Sequence, residues 1–350
     1  MEEKRTVTPV RVGNLTLGDG NVYIQSMLSV PSTDIEGNVQ QAIMLEQAGC
    51  QILRVAIPDQ DAVALIPRIK EKISIPLVAD IHFDYRLALE SLAAGIDKIR
   101  INPGNIGAEE NVRKVAVACA AKGVPIRIGV NSGSVEKEIL AKYGGPVPEA
   151  LVESGLYHAR LLEKYDFNQI VISLKSSDVR TMTAAYRLLA QRCSYPLHLG
   201  VTEAGTERMG LIKSSVGIGS LLLDGIGETI RVSLTTKDLA QEVYAARDIL
   251  RSIGLCPGWP EIVSCPTCGR TRIDLVSLAS QVEQRLATVR KDIKVAVMGC
   301  VVNGPGEARE ADIGVAGGNG CGVIFKKGQV LKTVPEDRIV DELMKEIELL

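Results

Sequence analysis

Two thiols on one tight turn, Cys265 and Cys268 in Ser264-Cys265-Pro266-Thr267-Cys268-Gly269, and a third, Cys300, after the apolar run Val297-Met298-Gly299 can converge on a soft metal centre. Zinc asks for four firmly held nitrogen or sulfur ligands, whereas an iron–sulfur cluster tolerates three thiolates and a weaker fourth ligand. The three histidines, His82, His158 and His198, lie far upstream, but Cys256 and Cys321 are near enough in sequence to serve as a fourth thiol. Spacing therefore leaves both metals open. A lone cysteine is commonly a small core residue, and Cys50, Cys119 and Cys193, set in helix-like surroundings, read that way.

A second set of chemistry-bearing residues is distributed over the first 254 positions. Gln25 and Ser26, Arg54, Asp80 and His82, Arg100 and Asn102, Arg127 and Asn131, Ser173 and Lys175, Thr202 and Glu203, and Arg231 and Ser233 each follow or end an apolar β-branched run. Four arginines and a lysine converging would repel one another unless an anion neutralised them. Arginine forks bind phosphate oxygens bidentately, lysine adds a point charge, and hydroxyls and amides complete the shell, so the expected ligand is a diphosphate or polyphosphate. Some of these arginines could instead pair with barrel carboxylates such as Asp80. Glu203 sits where neighbouring cations favour its ionised form and burial its neutral one.

The elements that would position these groups alternate between strand and helix. Strands are expected at Val22–Met27, Gln51–Ile57, Pro76–Ile81, Asp97–Ile101, Pro125–Val130, Gln169–Leu174, Pro196–Val201 and Thr229–Leu234, separated by amphipathic helical runs. Eight such units predict a (β/α)₈ barrel over residues 1–254, whose chemistry belongs at the C-terminal ends of the strands. An open doubly wound sheet fits less well, because no phosphate-binding glycine fingerprint follows the first strand. The segment Leu255-Cys256-Pro257-Gly258-Trp259 reads as an elbow. Beyond it, residues 255–350 predict a small α+β domain: strands at Glu261–Ser264, Lys294–Met298, Ala311–Ala316, Gly322–Phe325 and Gln329–Val334, a helix from Arg272 to Lys291, and a final helix to Leu350.

Composition excludes several functions. A hydrophobic fraction of 46% over 350 residues supports a buried core rather than disorder. A net charge of −2 and an aromatic content of 3% disfavour nucleic-acid binding. Neither a signal peptide nor a membrane-spanning run is visible, so a cytoplasmic protein without membrane contact is expected. Irregularly spaced cysteines in a reducing compartment favour metal or free thiols over disulfides.

The segments SCPTCGRT and MGCVVNGPGEAREADIGVAGG, with ILRVAIPD, ADIHF, RINPGN, RIGVNSGS, ISLKSSD, LGVTEAG and GIGETIRVSLT, resemble the 4-hydroxy-3-methylbut-2-enyl diphosphate synthase family of the non-mevalonate isoprenoid pathway over almost the whole chain. The resemblance implies a [4Fe-4S] cluster on Cys265, Cys268, Cys300 and Glu307; spacing alone would have pointed to Cys321 rather than Glu307. A carboxylate is a hard, weak ligand for cluster iron, which suits an exchangeable position. It further implies a cyclic diphosphate held by Arg54, Arg100, Asn102, Arg127, Asn131, Ser173, Lys175, Thr202, Arg231 and Ser233, with Asn303 added from the Asn303-Gly304-Pro305-Gly306 turn, and Glu203 as proton donor.

The implied reaction is a two-electron reductive ring opening and dehydration of 2-C-methyl-D-erythritol 2,4-cyclodiphosphate. Flavodoxin or ferredoxin would supply electrons, since no flavin or nicotinamide motif is present. The implied assembly is a homodimer in which one subunit's cluster domain covers the other's barrel mouth; sequence does not choose between that and closure within one chain. The loop Leu28-Ser29-Val30-Pro31-Ser32 departs from the family's Thr-rich turn and is left out of the site. A redox-inert phosphate-ligand barrel of pterin or aldolase type, with a structural zinc, is the alternative reading; a metal-stapled RNA-binding scaffold is a more remote one.

Overall fold

The computed structural model describes residues 5–102, 105–300 and 309–350. They form two compact units, Met1–Ile253 and Gly254–Leu350. The first opens with an antiparallel hairpin, β1 Val10–Val12 and β2 Leu15–Leu17. Eight parallel strands follow: β3 Tyr23–Met27, β4 Ile52–Ala56, β5 Leu77–Asp80, β6 Lys98–Ile101, β7 Ile126–Asn131, β8 Ile170–Lys175, β9 His198–Leu199 and β10 Thr229–Ile230. A parallel bridge between Ile172 and Leu197 joins the two ends of the sheet, so the predicted barrel closes.

Helices return the chain between strands, and local chemistry fixes their ends. In α1 (Ile35–Ala48) the Asp34 carboxylate accepts the Gly37 amide at 2.8 Å, and Gly49 closes the helix at a φ of 104°. Aspartates at 84 and 178 likewise cap α3 (Tyr85–Ala93) and α7 (Val179–Ala190). The other helices of this unit are α2 Leu65–Lys70, α4 Glu109–Lys122, α5 Lys137–Tyr143, α6 Pro148–Glu163, α8 Glu207–Leu223 and α9 Ala240–Ser252. No helix among the described residues is long and apolar enough to cross a membrane.

Because side chains alternate across a strand, one register series faces the barrel axis. Tyr23, Ile52, Val78 and Val171 belong to it and pack against Val10, Val12 and Leu17, so the hairpin plugs the N-terminal end of the barrel. Two residues further along each strand, the same series presents Arg54, Asp80 and Ser173, and it also carries Lys98, Arg100, Arg127 and His198.

The last two barrel strands are shorter than their sequences suggest. A Cβ on Gly200 would lie 2.7 Å from the Arg231 carbonyl oxygen, so the chains crowd there instead of continuing a regular ladder. Beyond that point other acceptors take the backbone donors: Thr202 N–H goes to the Ser176 carbonyl and Leu234 N–H to the Glu242 carboxylate. The apolar runs persist, but their ladder partners do not.

The second unit holds a five-stranded sheet in the order β11 Glu261–Ser264, β12 Lys294–Met298, β13 Ile313–Gly317, β14 Cys321–Lys326 and β15 Gln329–Pro335. The first three strands are parallel and the remaining pairings antiparallel. Helices α10 (Leu275–Leu286) and α11 (Ile339–Glu348) share one apolar core with Val295, Val297, Ile313, Val315 and Ile324. Helix α10 starts later than predicted. The Thr271 and Arg272 amides are committed to the carbonyls of Cys268 and Gly299, and Asp274 caps the helix through the Ser277 amide. Trp259, within the expected elbow, stacks under the Arg290 guanidinium at 3.4 Å.

Candidate active site and cysteine centre

Asp80 organises the barrel mouth. Its carboxylate meets Arg100 Nη1 at 3.1 Å, His82 Nε2 at 3.3 Å and Arg54 Nε at 3.7 Å. Burial works to raise its pKa, but Arg54, His82 and Arg100 outweigh it and hold the carboxyl well below the usual range. Arg54 also lies against the Met27 thioether, with Nη2 2.6 Å from Sδ, and burial brings its pKa down to about 10. The strut role that the sequence allowed for Asp80 is thus real for two arginines.

The other cations lean less on carboxylates. Arg127 donates from Nη1 to Ser173 Oγ at 2.8 Å, and Arg231 reaches Glu242 only at 3.6 Å. Lys175 is buried and has no acceptor among the described residues; burial, then Arg231, Arg54, Arg127 and Arg100, push its amine well below an ordinary lysine. The expected convergence of four arginines and one lysine is therefore present, and Asp80 and Glu242 neutralise it only in part. A largely buried, positively charged cluster of this kind is suited to an anion.

Polar residues ring the cations. Asn102 donates to Ser134 Oγ at 3.3 Å, and Ser134 in turn bonds the Asn131 backbone, so the loop after β7 braces both asparagines. Thr202 and Ser233 are partly buried. Glu203 is exposed and holds a φ of 50°, a left-handed conformation rare outside glycine and enriched at functional sites.

Three residues the sequence reading did not assign to the site also emerge. Ser134 is the brace just described, while Lys98 and His198 face inward one layer below the mouth. The signal was available in the period-2 series Lys98-Ile99-Arg100-Ile101-Asn102 and His198-Leu199-Gly200-Val201-Thr202. Gln25, expected at the strand end, belongs to that lower layer, since it registers with Ile52 rather than with Arg54.

Close packing of the guanidiniums makes glycine necessary at one position. A Cβ on Gly129 would fall 2.5 Å from Arg100 Nε. Gly129→Ala should displace Arg100 from Asp80 at an overpacking cost of about 1–3 kcal/mol. A calorimetric titration with inorganic pyrophosphate should show weaker binding; unchanged binding and melting would mean that Arg100 has room to spare.

At the other end of the chain, Cys265 directly follows β11 and Cys300 lies two residues past β12, on neighbouring parallel strands. The Gly299 amide donates to Cys265 Sγ at 3.2 Å. Cys268 is exposed, and the Arg270 backbone amide, followed by Thr271 and the Arg270 side chain, draws its thiol below the ordinary value. A Cβ on Gly299 would lie 3.0 Å from Thr271, so a larger residue there would press on the Cys268 turn.

Among the described residues no three Cys, His, Asp or Glu side chains are grouped tightly enough to share one ion. A cubane does not require that, since each of its thiolates takes a separate iron. The donor set, thiols with amide hydrogen bonds to sulfur beside a glycine-lined loop, fits an iron–sulfur cluster. The expected ligand Glu307 and the expected substrate contact Asn303 lie outside the described residues.

A closed parallel barrel with a cationic mouth, followed by a thiol-bearing α+β unit, defines the class: a two-unit (β/α)₈-barrel protein with a cysteine-bearing tail. The GcpE TIM-barrel domain model matches residues 7–247 and the GcpE protein C-terminal domain model matches residues 261–349. The chain belongs to the GcpE family.

It is 57% identical over 349 residues to the 4-hydroxy-3-methylbut-2-en-1-yl diphosphate synthase (flavodoxin) of Clostridium perfringens, covering 99% of both chains. It is also 57% identical over 346 residues to the protein of the same name from Caldanaerobacter subterraneus, covering 99% of this chain and 97% of that one. The barrel fold recurs in 3-dehydroquinate dehydratase from Geobacillus kaustophilus, with a TM-score of 0.54 and 14% identity over 72% of this chain and 98% of that one. The redox-inert, zinc-stapled alternative is not supported, because the family match extends over both units.

Proposed function

We propose that this chain catalyses the two-electron reductive ring opening and dehydration of 2-C-methyl-D-erythritol 2,4-cyclodiphosphate to 4-hydroxy-3-methylbut-2-enyl diphosphate, with flavodoxin as electron donor. The observation that carries the reading is the set of buried cations at the barrel mouth, within a chain so similar to synthases named for that diphosphate and that donor.

Arg54, Arg100, Arg127, Arg231 and Lys175 neutralise the two phosphates, and Asn102, Asn131, Ser173, Thr202 and Ser233 orient them, with Asn303 completing the contacts. Cys265, Cys268, Cys300 and Glu307 would hold a [4Fe-4S] cluster, which would supply single electrons and Lewis acidity. Two electrons and two protons enter, and one water leaves. Glu203, exposed in its left-handed turn directly after Thr202, donates a proton to the departing hydroxyl.

Helix α8 carries exposed Met209, Ile212 and Val216 at helical spacing, an apolar stripe that supports a homodimer. Sedimentation that finds only monomer removes that part of the proposal.

Anaerobically purified protein should consume the cyclic diphosphate when reduced flavodoxin is supplied. Iron-free protein with full activity, or iron-loaded protein with none, would sink the assignment. Glu203→Gln should lower turnover by about 10²–10⁴-fold while diphosphate binding persists, as removal of a general acid does. Turnover at the parental rate would take the proton-donor role from Glu203.

A further inference from the structure

The interior of a (β/α)₈ barrel is ordinarily filled by layers of Val, Ile and Leu. Here the apolar layer against the hairpin plug is followed by a polar one: Gln25 from β3, Lys98 from β6, Arg127 from β7 and His198 from β9. All are 0–2% exposed. Among the described residues several of their polar atoms have no hydrogen-bond partner: Lys98 Nζ, Arg127 Nε and Nη2, His198 Nε2 and both amide atoms of Gln25. His198 Nδ1 pairs with Thr229 Oγ1 at 2.8 Å and Arg127 Nη1 with Ser173, which leaves the remaining atoms open.

The inward titratable groups are Tyr23 on β3, Arg54 on β4, Asp80 on β5, Arg100 on β6 itself, Arg127 on β7, Lys175 on β8, His198 on β9 and Arg231 just past β10, and the buried Glu242 of α9 reaches Arg231 at 3.6 Å. Asp80 and Glu242 are the carboxylates among them; Arg54, Arg100 and His82 already engage Asp80, and Arg231 engages Glu242. Lys98 is 0% exposed and its Nζ has no hydrogen-bond partner among the described residues; burial, then Arg127 and Arg54, disfavour its charged form. A diphosphate in the mouth would reverse that balance. It adds negative charge directly above a layer with open donors and no acid of its own.

We infer that the layer of Gln25, Lys98, Arg127 and His198 is the proton-linked floor of the diphosphate pocket: loading the mouth draws a proton from solvent onto Lys98 Nζ, and release of product returns it. Lys98 does not touch the ligand. It is a positioning residue that acts through Arg127: its charge pushes that guanidinium toward the ligand when the pocket is loaded, and that push is withdrawn when product leaves. The inference rests on the diphosphate reading of the mouth.

The test is calorimetric titration of the full-length protein with the cyclic diphosphate, in buffers of different ionisation enthalpy near neutral pH. Each phosphorus of that ligand is already linked to carbon oxygen and to the bridging oxygen, so the ligand exchanges no proton in this range. Wild-type protein should take up about one proton or more per ligand bound, and its affinity should weaken by about tenfold per pH unit for each proton as pH rises. Lys98→Met, of similar length and uncharged, should fold, take up about one proton fewer and lose that share of the pH slope.

A wild-type proton count of zero overturns the inference whatever the variant does. An undiminished count in folded Lys98→Met overturns it as well, passing the proton to Lys175 or His198. Absence of binding heat in every buffer, with no binding by an independent equilibrium measurement, removes the diphosphate reading and this inference with it.

Discussion

Cys300→Ser should reduce flavodoxin-dependent turnover to background while leaving the barrel's affinity for the cyclic diphosphate nearly unchanged. The two halves of this result follow from different parts of the sequence. Cys300 sits two residues beyond β12, next to the strand that delivers Cys265, and Gly299 before it donates its amide to the Cys265 sulfur. A serine hydroxyl is a harder and more weakly binding ligand than a thiolate for iron, so one corner of the donor set is lost. A thousandfold loss of rate corresponds to about 4 kcal/mol in the barrier. The proposed diphosphate contacts other than Asn303, by contrast, belong to a unit that forms its own core.

Iron content and visible absorption of anaerobic Cys300→Ser should fall together, and calorimetry should return the parental affinity. A variant that keeps its iron, its colour and full turnover would end the assignment of Cys300 as a ligand. A variant that loses iron yet turns over normally would end the role of the cluster itself.

Much of this arrangement can be read without coordinates, and the gaps have physical causes. Six of the eight barrel strands are close to their expected positions, because a strand buried on both faces reads as an unbroken apolar run. β9 and β10 end early because their final residues spend backbone hydrogen bonds on loop carbonyls and on Glu242, which strand patterning does not register. The mouth cations were legible because barrel strands direct functional groups to their C-terminal ends.

Lys98 and His198 were not assigned to the site, since each lies in a stretch that otherwise reads as core. Only closure of the sheet turns an inward lysine into a buried one without a counter-ion. The pairing of Cys265 with Cys300 was open to spacing, but spacing did not choose the fourth ligand. Likewise the charge pattern allowed Asp80 as a strut without indicating that it would hold Arg54, Arg100 and His82 at once.

That triple engagement makes Asp80→Asn the second large effect. Asp80 is 2% exposed, and Arg54 and Arg100 are 8% and 7% exposed, so the carboxylate neutralises guanidiniums that water scarcely reaches. An asparagine keeps the shape and removes the charge. Leaving buried charges without their partner typically costs about 3–5 kcal/mol. For a unit of this size that corresponds to a fall in melting temperature on the order of 10 °C.

The pH dependence has a definite sign. The carboxyl of Asp80 is depressed in the folded protein, so its contribution is fully present above the unfolded aspartate value of about 3.9 and is lost as pH falls toward the folded value. Wild-type melting should therefore decline on acidification through this range, and Asp80→Asn should lack that part of the decline because its contribution is already missing at neutral pH.

Inorganic pyrophosphate offers the complementary check. An anion in the mouth replaces some of the missing negative charge, so near-saturating pyrophosphate should raise the melting temperature of Asp80→Asn more than that of the parent, provided both are compared at the same ratio of ligand to dissociation constant. If the variant melts with the wild type and responds to pyrophosphate no differently, then Arg54 and Arg100 do not depend on Asp80. The neutralising charge would have to come from elsewhere in the barrel.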